Sequence, residues 1–212
     1  ELHNHGYAFR KRNYKLFTFS KLRNTDRRPF IRNTFINLGK KVNFTVSSFE
    51  NEFIKNLCKN LLRNELYISR NEVKLSSIDV EKSDYVEDSL RRGKLVVKMS
   101  SPVVNYSTNE YGKQYFYSPF EDDFEDKIRD NLINKYRSYY LKEPENKDFS
   151  ITFKENSKIK KVRDYFKETL LDGYYGAFIL KGAYDLLKLA YYTGIGSKNS
   201  QGFGCFNIIY PS

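Results

Sequence analysis

The order of strand and helix patterns predicts an α+β fold made of two tandem βαββαβ units, the arrangement called ferredoxin-like or RRM-like. In the second half of the chain the patterns follow the order strand, helix, strand, strand, helix, strand. The first half gives strand, strand, helix and strand, so its opening strand and helix would precede Glu1. The basic run Arg91-Arg92-Gly93-Lys94 separates the two patterns. We therefore expect an N-terminal unit over residues 1–92, truncated at its start, and a C-terminal unit over residues 93–212.

In the first half, β-forming residues that alternate between two faces predict the strands. The predicted strands span residues 16–22, 32–38, 42–46, 66–68 and 73–80. A turn at Gly39-Lys40-Lys41 lies between the second and third of these strands and predicts a hairpin there. Ser47 and Glu50 have the spacing of a capping box, and apolar residues then recur on one helical face as far as Leu62.

The second half combines strand patterns with two predicted helices. The strand patterns span residues 95–99, 103–104, 114–117, 149–153, 174–180 and 203–210. A second capping box, formed by Ser118 and Glu121, precedes an amphipathic helix that ends near Tyr140. An apolar helix is predicted over residues 183–192, whereas periodicity does not decide between a helix and a bent strand for residues 158–171.

The positive charge of the chain is concentrated at its beginning. The 212 residues carry a net charge of +11. Residues 1–41 contain eleven lysines and arginines against two carboxylates, a balance of +9, which leaves +2 for the other 171 residues. Such segregation indicates a nucleic-acid or acidic-membrane partner, while a solvated basic face without a partner is the alternative. A membrane fits less well because the segment contains no basic amphipathic helix.

The same composition bounds the location and the redox chemistry. No run of residues approaches the roughly 20 apolar residues of a membrane span, and no signal peptide is visible, so we expect a cytoplasmic protein. Cys58 and Cys205 have no CxxC partner. We interpret both cysteines as small core residues.

A segment dense in glycine lies between the last predicted helix and the last predicted strand. Its sequence is Gly194-Ile195-Gly196-Ser197-Lys198-Asn199-Ser200-Gln201-Gly202-Phe203-Gly204, which holds four of the 11 glycines of the chain. Glycine reaches positive φ without steric cost and lets another backbone come close, so we expect this glycine-rich loop to contact a phosphate chain with its amides. A Rossmann or P-loop site is excluded, because the loop follows a helix and lacks the Gly-Lys-Ser/Thr ending.

Two motifs carry a resemblance to a known family. The pattern Gly-x-Gly, five residues, Gly-x-Gly over residues 194–204 resembles the signature of the CRISPR-associated endoribonucleases of the sixth Cas family, which cut precursor CRISPR RNA within its repeats. The segment Leu2-His3-Asn4-His5-Gly6, with the strand pattern that follows it, is similar to the place where many members carry a catalytic histidine. The loop alone is a weak signal, whereas the pair of motifs is fairly specific and covers nearly the whole chain.

The resemblance implies metal-independent RNA cleavage, in which a ribose 2′-hydroxyl attacks the adjacent phosphate and leaves a 2′,3′-cyclic phosphate and a 5′-hydroxyl. This reaction needs a general base, a general acid and a cation that stabilises the phosphorane. Histidine, with a pKa near ~6.5, serves as acid or base at neutral pH. The only two histidines, His3 and His5, both lie in the matching segment. Both could be catalytic, one could support the other, or both could be incidental surface residues.

The remaining catalytic partners differ among family members. We expect Tyr14 to orient or protonate and Lys11 to stabilise charge, while the alternative makes Tyr14 a core residue and Lys11 a simple phosphate contact. Metal ligation by the two histidines is disfavoured, since Glu1 is the only further acidic ligand nearby. No metal or other cofactor is therefore expected.

The resemblance also implies which residues hold the RNA. The glycines would shape the loop, its polar side chains would contact the RNA and help to pack the two units, and the N-terminal cations would grip the RNA backbone. The expected RNA-contacting residues are Arg10, Arg12, Lys15, Arg23, Gly194, Gly196, Ser197, Lys198, Asn199, Ser200, Gln201, Gly202 and Gly204.

A second function remains open at this point, a non-catalytic module of the same fold that holds a CRISPR repeat RNA without cutting it. Tandem units of this kind are common in RNA binders. The aromatic-rich RNP motifs of such binders are not evident, however, and the His-x-His segment has no obvious purpose in a binder. The expected partners are repeat RNA, other Cas proteins of an interference complex and a second copy of the chain.

Overall fold

The computed structural model describes residues 6–10, 12–24, 30–32, 35–37, 39–68, 71–79, 84–166 and 169–209. Short antiparallel strands dominate the N-terminal part, followed by one helix and a further hairpin. In chain order these elements are β1 (Tyr7–Phe9), β2 (Arg12–Tyr14), β3 (Phe17–Phe19), β4 (Arg23–Asn24), β5 (Phe30–Arg32), β6 (Phe35–Asn37), β7 (Val42–Asn43), β8 (Val46–Ser48), α1 (Asn51–Arg63), β9 (Leu66–Ile68) and β10 (Asn71–Val73).

The strands from β3 to β8 are successive steps of one long hairpin. β3 pairs with β8, β4 with β7, and β5 with β6, all antiparallel. The predicted hairpin around residues 39–41 is therefore wrong, because the chain reverses between β5 and β6. Gly39, at φ +76°, lies between β6 and β7, and a side chain there would collide with Asn24 on the opposite strand. Glycine adopts this positive φ without strain, and the chain does not reverse at this position.

Helix α1 forms where its apolar spacing predicts it, but its first turn differs from the predicted capping box. The helix begins at Asn51, and the Ser48 hydroxyl, not that of Ser47, accepts a hydrogen bond from the Glu50 backbone N–H at 3.1 Å. The Ser47 hydroxyl instead donates to the Tyr191 carbonyl at 3.4 Å. Strand β8 continues as far as Ser48, so Ser47 belongs to the strand and is not the N-cap that the capping pattern predicted.

A helix that the sequence patterns did not predict opens the second part, which then alternates strands with two longer helices. In chain order its elements are α2 (Asp84–Arg91), β11 (Lys94–Met99), β12 (Tyr106–Thr108), β13 (Gln114–Phe116), α3 (Asp123–Tyr140), β14 (Phe149–Phe153), β15 (Lys160–Phe166), β16 (Thr169–Tyr175), β17 (Ala177–Gly182), α4 (Tyr184–Thr193) and β18 (Phe206–Ile208). The undecided segment, residues 158–171, belongs to the β15–β16 hairpin.

Four of these strands form one antiparallel sheet in the order β14-β17-β11-β18. Numbered within this part of the chain, the order is 4-1-3-2 when read from β18. With α3 after the first strand and α4 after the third, this is the ferredoxin-like βαββαβ topology. The predicted fold of the second half is therefore present in full.

The core lies between this sheet and the helices. On β11, Leu95 and Val97 are buried while Lys94 and Lys98 are exposed, which is the alternation of a strand with one covered face. The buried cluster joins these residues to all three helices; its helical members include Val86, Leu90, Phe124, Ile128, Leu132, Leu186, Leu187 and Ala190. Helix α2 thus packs into this core, and its signal in the sequence is limited to Val86 and Leu90, four residues apart. The predicted boundary near residue 92 stays a prediction.

Two hairpins extend from the sheet and form a second, smaller apolar cluster. Hairpin β12–β13 and hairpin β15–β16 meet around the buried residues Val104, Leu171 and Phe203, with Tyr106 and Phe166 packed against them. Phe203 belongs to the glycine-rich loop. Both hairpins are therefore held against that loop. Within the described residues, none of the helices is both long enough and apolar enough to cross a membrane.

Candidate nucleic-acid interface

The glycine-rich loop, residues 194–204, connects the end of α4 to β18 and has a fixed shape. All four of its glycines have positive φ, between +74° and +83°. At Gly204 a β-carbon would collide with the carbonyl oxygen of Ile195, and at Gly196 it would collide with that of Val104. Only glycine fits these two positions, because the backbone approaches too closely for any side chain.

Hydrogen bonds close the loop from within. The Ile195 N–H donates to the Gly204 carbonyl at 3.0 Å, which ties the two ends of the loop together. The side-chain amide of Asn199, 6% exposed, donates to the carbonyls of Ile195 and Phe203 at 3.0 and 3.1 Å. Asn199 is therefore an internal brace of the loop. Ser197 is also buried, as is the side-chain oxygen of Gln201, so the half-buried Lys198 and Ser200 provide most of the exposed polar surface of the loop.

The loop packs directly on the N-terminal strand β3. The Thr18 hydroxyl donates to the Phe203 carbonyl at 3.0 Å across 185 residues of sequence. The ring of Phe19 lies so close to Gly202 that a β-carbon there would come within 2.6 Å of it. The Lys21 ammonium lies 4.9 Å from the centre of the Phe203 ring. The packing role that the sequence suggested for the loop is thus visible in these contacts.

Two of the predicted RNA-contacting cations converge on one aromatic ring. The Arg12 guanidinium lies 5.8 Å and the Lys198 ammonium 5.4 Å from the centre of the Tyr106 ring. Lys198 also lies 5.4 Å from the ring of Phe166. Burial, and then the charge of Arg12, lower the pKa of Lys198. We call these four residues the Tyr106 cluster.

The charges of the Tyr106 cluster are not neutralised within the described part of the chain. There, neither Arg12 nor Lys198 forms an ion pair with a carboxylate. Lys21, by contrast, pairs with Asp164 at 2.7 Å. Two cations held near each other without a counter-ion favour an anion between them, and a phosphate group has the required charge.

Tyr14 lies behind Arg12 rather than on the surface. It is 9% exposed, and the side chains of Arg12 and of Asn134 on helix α3 lie near its hydroxyl. Burial is the largest influence on this hydroxyl and raises its pKa, with Arg12 acting in the opposite direction. At neutral pH the Tyr14 hydroxyl therefore keeps its proton.

The other predicted N-terminal residues divide into described and undescribed ones. Arg10 occupies the β1–β2 turn at φ +53°, with its guanidinium 5.4 Å from the Phe9 ring. Lys15 is half-buried, and the exposed Arg23 donates to the Met99 carbonyl at 3.4 Å. His3, His5 and Lys11 lie outside the described residues, so their roles stay predictions.

The described chain begins next to Tyr14. Gly6, which follows His5 in the sequence, has φ +68°, and a β-carbon on it would lie 2.8 Å from the Tyr14 carbonyl oxygen. Among the described residues, no three histidine, cysteine, aspartate or glutamate side chains form a group that could hold a metal ion. Both histidines lie outside that part of the chain, so the expectation of a metal-free site also stays a prediction.

The structure adds residues that the sequence patterns did not single out. Tyr106 and Phe166 lie on two different hairpins, and neither hairpin is adjacent in sequence to the glycine-rich loop. Their contact with Lys198 depends on the second apolar cluster, which joins residues about 30 to 100 positions apart. A pattern of local spacing contains no signal for such a contact.

Comparisons with known proteins agree with this geometry. The family model for the C-terminal region of the CRISPR-associated protein Cas6 matches residues 85–208. The CRISPR-associated endoribonuclease Cas6 1 of Methanocaldococcus jannaschii is 28% identical over 220 residues, covering 95% of this chain and 78% of the relative. A solved structure of a CRISPR-associated protein Cas6 is 27% identical with a TM-score of 0.71, over 93% of this chain and 80% of the other.

A further solved structure, an RAMP protein described as binding different RNA substrates, has a TM-score of 0.74 at 22% identity, over 92% of this chain and 80% of its own. These likenesses confirm the predicted α+β, ferredoxin-like fold class. The residues matched by the family model make up more than half of the chain, and the predicted family is thus confirmed. The chain belongs to the Cas6 family of CRISPR-associated proteins.

Proposed function

We propose that this Cas6 protein is a metal-independent endoribonuclease that cuts precursor CRISPR RNA within its repeats. The observation that carries the proposal is the packing of the glycine-rich loop on strand β3, with Arg12 and Lys198 at one ring. Strands β2 and β3, which follow the segment with the predicted histidines in sequence, thereby lie beside the predicted RNA-holding loop. The endoribonuclease class of the Methanocaldococcus relative supports the same conclusion.

The chemistry is an internal transfer at phosphorus. One histidine of the pair His3 and His5 takes the proton of the ribose 2′-hydroxyl, whose oxygen forms a new bond to the adjacent phosphorus. The bond from phosphorus to the 5′-oxygen breaks, and the other histidine gives that oxygen a proton. The products are a 2′,3′-cyclic phosphate and a 5′-hydroxyl, and no water is consumed.

The cations have separate roles in this proposal. Lys11 stabilises the charge that develops on the phosphorane. Arg12 and Lys198 bind phosphates of the RNA backbone next to the cut. Burial raises the pKa of Tyr14, so its hydroxyl keeps its proton at neutral pH and is not the base. The exposed side chains of the glycine-rich loop add contacts to the same RNA strand.

One experiment separates cutting from holding. The full-length protein is incubated with repeat RNA in excess EDTA, in parallel with the same RNA carrying a 2′-deoxy sugar at the cut position. We expect the native RNA to be cut and the deoxy RNA to stay intact but bound. Intact native RNA, or equal cutting of both RNAs, would refute the proposed enzyme. Binding of both RNAs without cutting of either would support the non-catalytic module instead.

A further inference from the structure

A lysine inside the second unit has no role in the proposed chemistry and none that its own helix requires. Lys135, on helix α3, is only 2% exposed. A buried ammonium is costly unless its hydrogens are bonded. Its Nζ donates to the Gly194 carbonyl at 2.8 Å and to the Thr193 hydroxyl at 3.1 Å. Both acceptors lie where helix α4 ends and the glycine-rich loop begins.

The position of this lysine matches an electrostatic need of α4. The carbonyl groups at the end of a helix carry partial negative charge, which a nearby cation neutralises. The last turn of α4, all of it described, contains no basic residue. The Thr193 hydroxyl that accepts from Lys135 itself donates to the Leu189 carbonyl at 2.7 Å. Lys135 therefore supplies from α3 a hydrogen-bond donor to the end of α4, and below its pKa also the cation that the last turn of α4 lacks.

The same bond fixes the first peptide of the loop. Gly194 has φ +76°, and a β-carbon on it would lie within 3.0 Å of atoms of Asn199, Gly204 and Thr18. The orientation of its carbonyl determines where Ile195 meets Gly204, the contact that closes the loop. A change in the Gly194 peptide is thus passed to both ends of the loop.

We propose that Lys135 is a positioning residue of the RNA interface, which holds the glycine-rich loop in its binding shape without touching RNA. The proposal rests on the function proposed above for its effect on RNA. Its effect on the loop does not depend on that function. The loop and the RNA can therefore be tested separately.

The first measurement follows the loop directly. In spectra of the ¹⁵N-labelled protein, Lys135→Met should move the amide signals of the four loop glycines. Gly112, at the tip of the β12–β13 hairpin with nothing near its α-carbon, should not move. Lys142→Met, which removes an exposed charge just beyond the end of α3, is the matched control and should leave all of these signals in place. Unchanged loop signals in folded Lys135→Met would overturn the proposal.

The second measurement follows RNA. Lys135→Met removes the two buried hydrogen bonds to Gly194 and Thr193. If about 1.4 kcal/mol of their contribution supports the bound shape of the loop, the variant should bind repeat RNA about tenfold more weakly. The single-turnover cutting rate at saturating RNA should stay within about twofold, since the lost interaction contributes equally before and during the reaction. A general folding defect would instead reduce the active fraction, and Lys142→Met should match the unmodified protein.

A second pair of variants decides the matter if Lys135→Met does not fold. Thr193→Val removes the hydroxyl that accepts from Lys135, whereas Thr193→Ser keeps it. We expect weaker RNA binding and shifted glycine signals for Thr193→Val only. Equal behaviour of the two variants would overturn the proposal. If the unmodified protein binds no repeat RNA, the proposed function fails, and the glycine signals still report whether Lys135 positions the loop.

Discussion

Tyr14 shows how burial selects a role that the residue type leaves open. A tyrosine near a cut phosphate can donate a proton, orient a neighbour or simply pack. Here it is buried in the hairpin β1–β2, and burial raises the pKa of its hydroxyl. A buried hydroxyl that keeps its proton cannot act as a base at neutral pH, which agrees with the packing alternative. The assignment of proton transfer to the two histidines stays a proposal.

The pair His3 and His5 carries the first prediction. Replacing both with alanine should reduce cutting by at least about a hundredfold, the lower range of a general acid or base contribution. Binding of repeat RNA should change by only a few fold, because the cations proposed to bind the RNA backbone are other residues. Gel-shift titration and single-turnover cutting on the same RNA measure the two effects. Equal loss of cutting and binding would indicate a structural role for the pair.

Lys135 predicts a pH dependence of stability. Burial lowers its pKa from 10.5 to about 7 in the folded protein. Below pH 7 both states are protonated and the burial cost is present in full, whereas above it the folded lysine loses a proton that the unfolded lysine keeps. The free energy of unfolding should therefore rise with pH, by up to about 1.4 kcal/mol per unit.

Chemical denaturation of the unmodified protein and of Lys135→Met from pH 7 to pH 9 checks this dependence. The difference in unfolding free energy should grow in favour of the unmodified protein as the pH rises. Comparison with the variant cancels groups that both proteins share, such as Cys205, whose pKa burial raises to about 12. Parallel pH profiles would show that Lys135 does not titrate in this range.

At the scale of elements, the glycine-rich loop predicts unequal costs for the same substitution. Gly204→Ala places a β-carbon against the Ile195 carbonyl at φ +74° and should lower the free energy of unfolding by more than about 2 kcal/mol. Gly112→Ala has a similar φ of +79° with no neighbour within 4 Å, so it should cost only about 1 kcal/mol. Denaturant midpoints give both values. Equal costs would mean that close approach plays no part.

The sequence predicted the elements that local spacing defines. Helices α1, α3 and α4, the glycine-rich loop and the strands of the four-stranded sheet follow from periodicity and glycine content. Helix α2 was missed because its eight residues present only two spaced aliphatic side chains to the core. The sequence placed the reversal of the long hairpin at the wrong position, because Gly39 is typical of a turn. In the structure Gly39 instead avoids a collision between a side chain and Asn24.

The candidate interface was predictable only in part for a similar reason. Arg12, Lys198 and the loop glycines belong to motifs in the sequence. Tyr106, Phe166 and Lys135 reach the interface through tertiary packing alone. Local patterns identify residues that a turn or a helix requires. Lys135 could be identified only from the tertiary structure, which shows that helix α3 passes beneath the glycine-rich loop.

At the scale of the whole molecule, the uneven distribution of positive charge predicts that the protein binds RNA through its phosphates. The +9 balance of residues 1–41 contrasts with +2 in the rest, and strand β3 packs this segment against the loop with Lys198. A phosphate grip releases counter-ions, so the logarithm of affinity should fall linearly with the logarithm of salt concentration, by about 0.7 per phosphate contact with single-stranded RNA. A solvated basic face without an RNA partner predicts no such dependence.

Fluorescence titration of repeat RNA across salt concentrations tests this grip, with an unrelated RNA of equal length in parallel. Backbone contacts carry no sequence information, so both RNAs should show the same slope and differ only in absolute affinity. Arg12→Ala and Lys198→Ala should each reduce the slope by about 0.7, the contribution of one phosphate contact, and Lys142→Ala should leave it unchanged. An affinity of the unmodified protein that does not change with salt would exclude binding through phosphates. Unchanged slopes for both variants would show that the phosphate contacts are made outside the Tyr106 cluster.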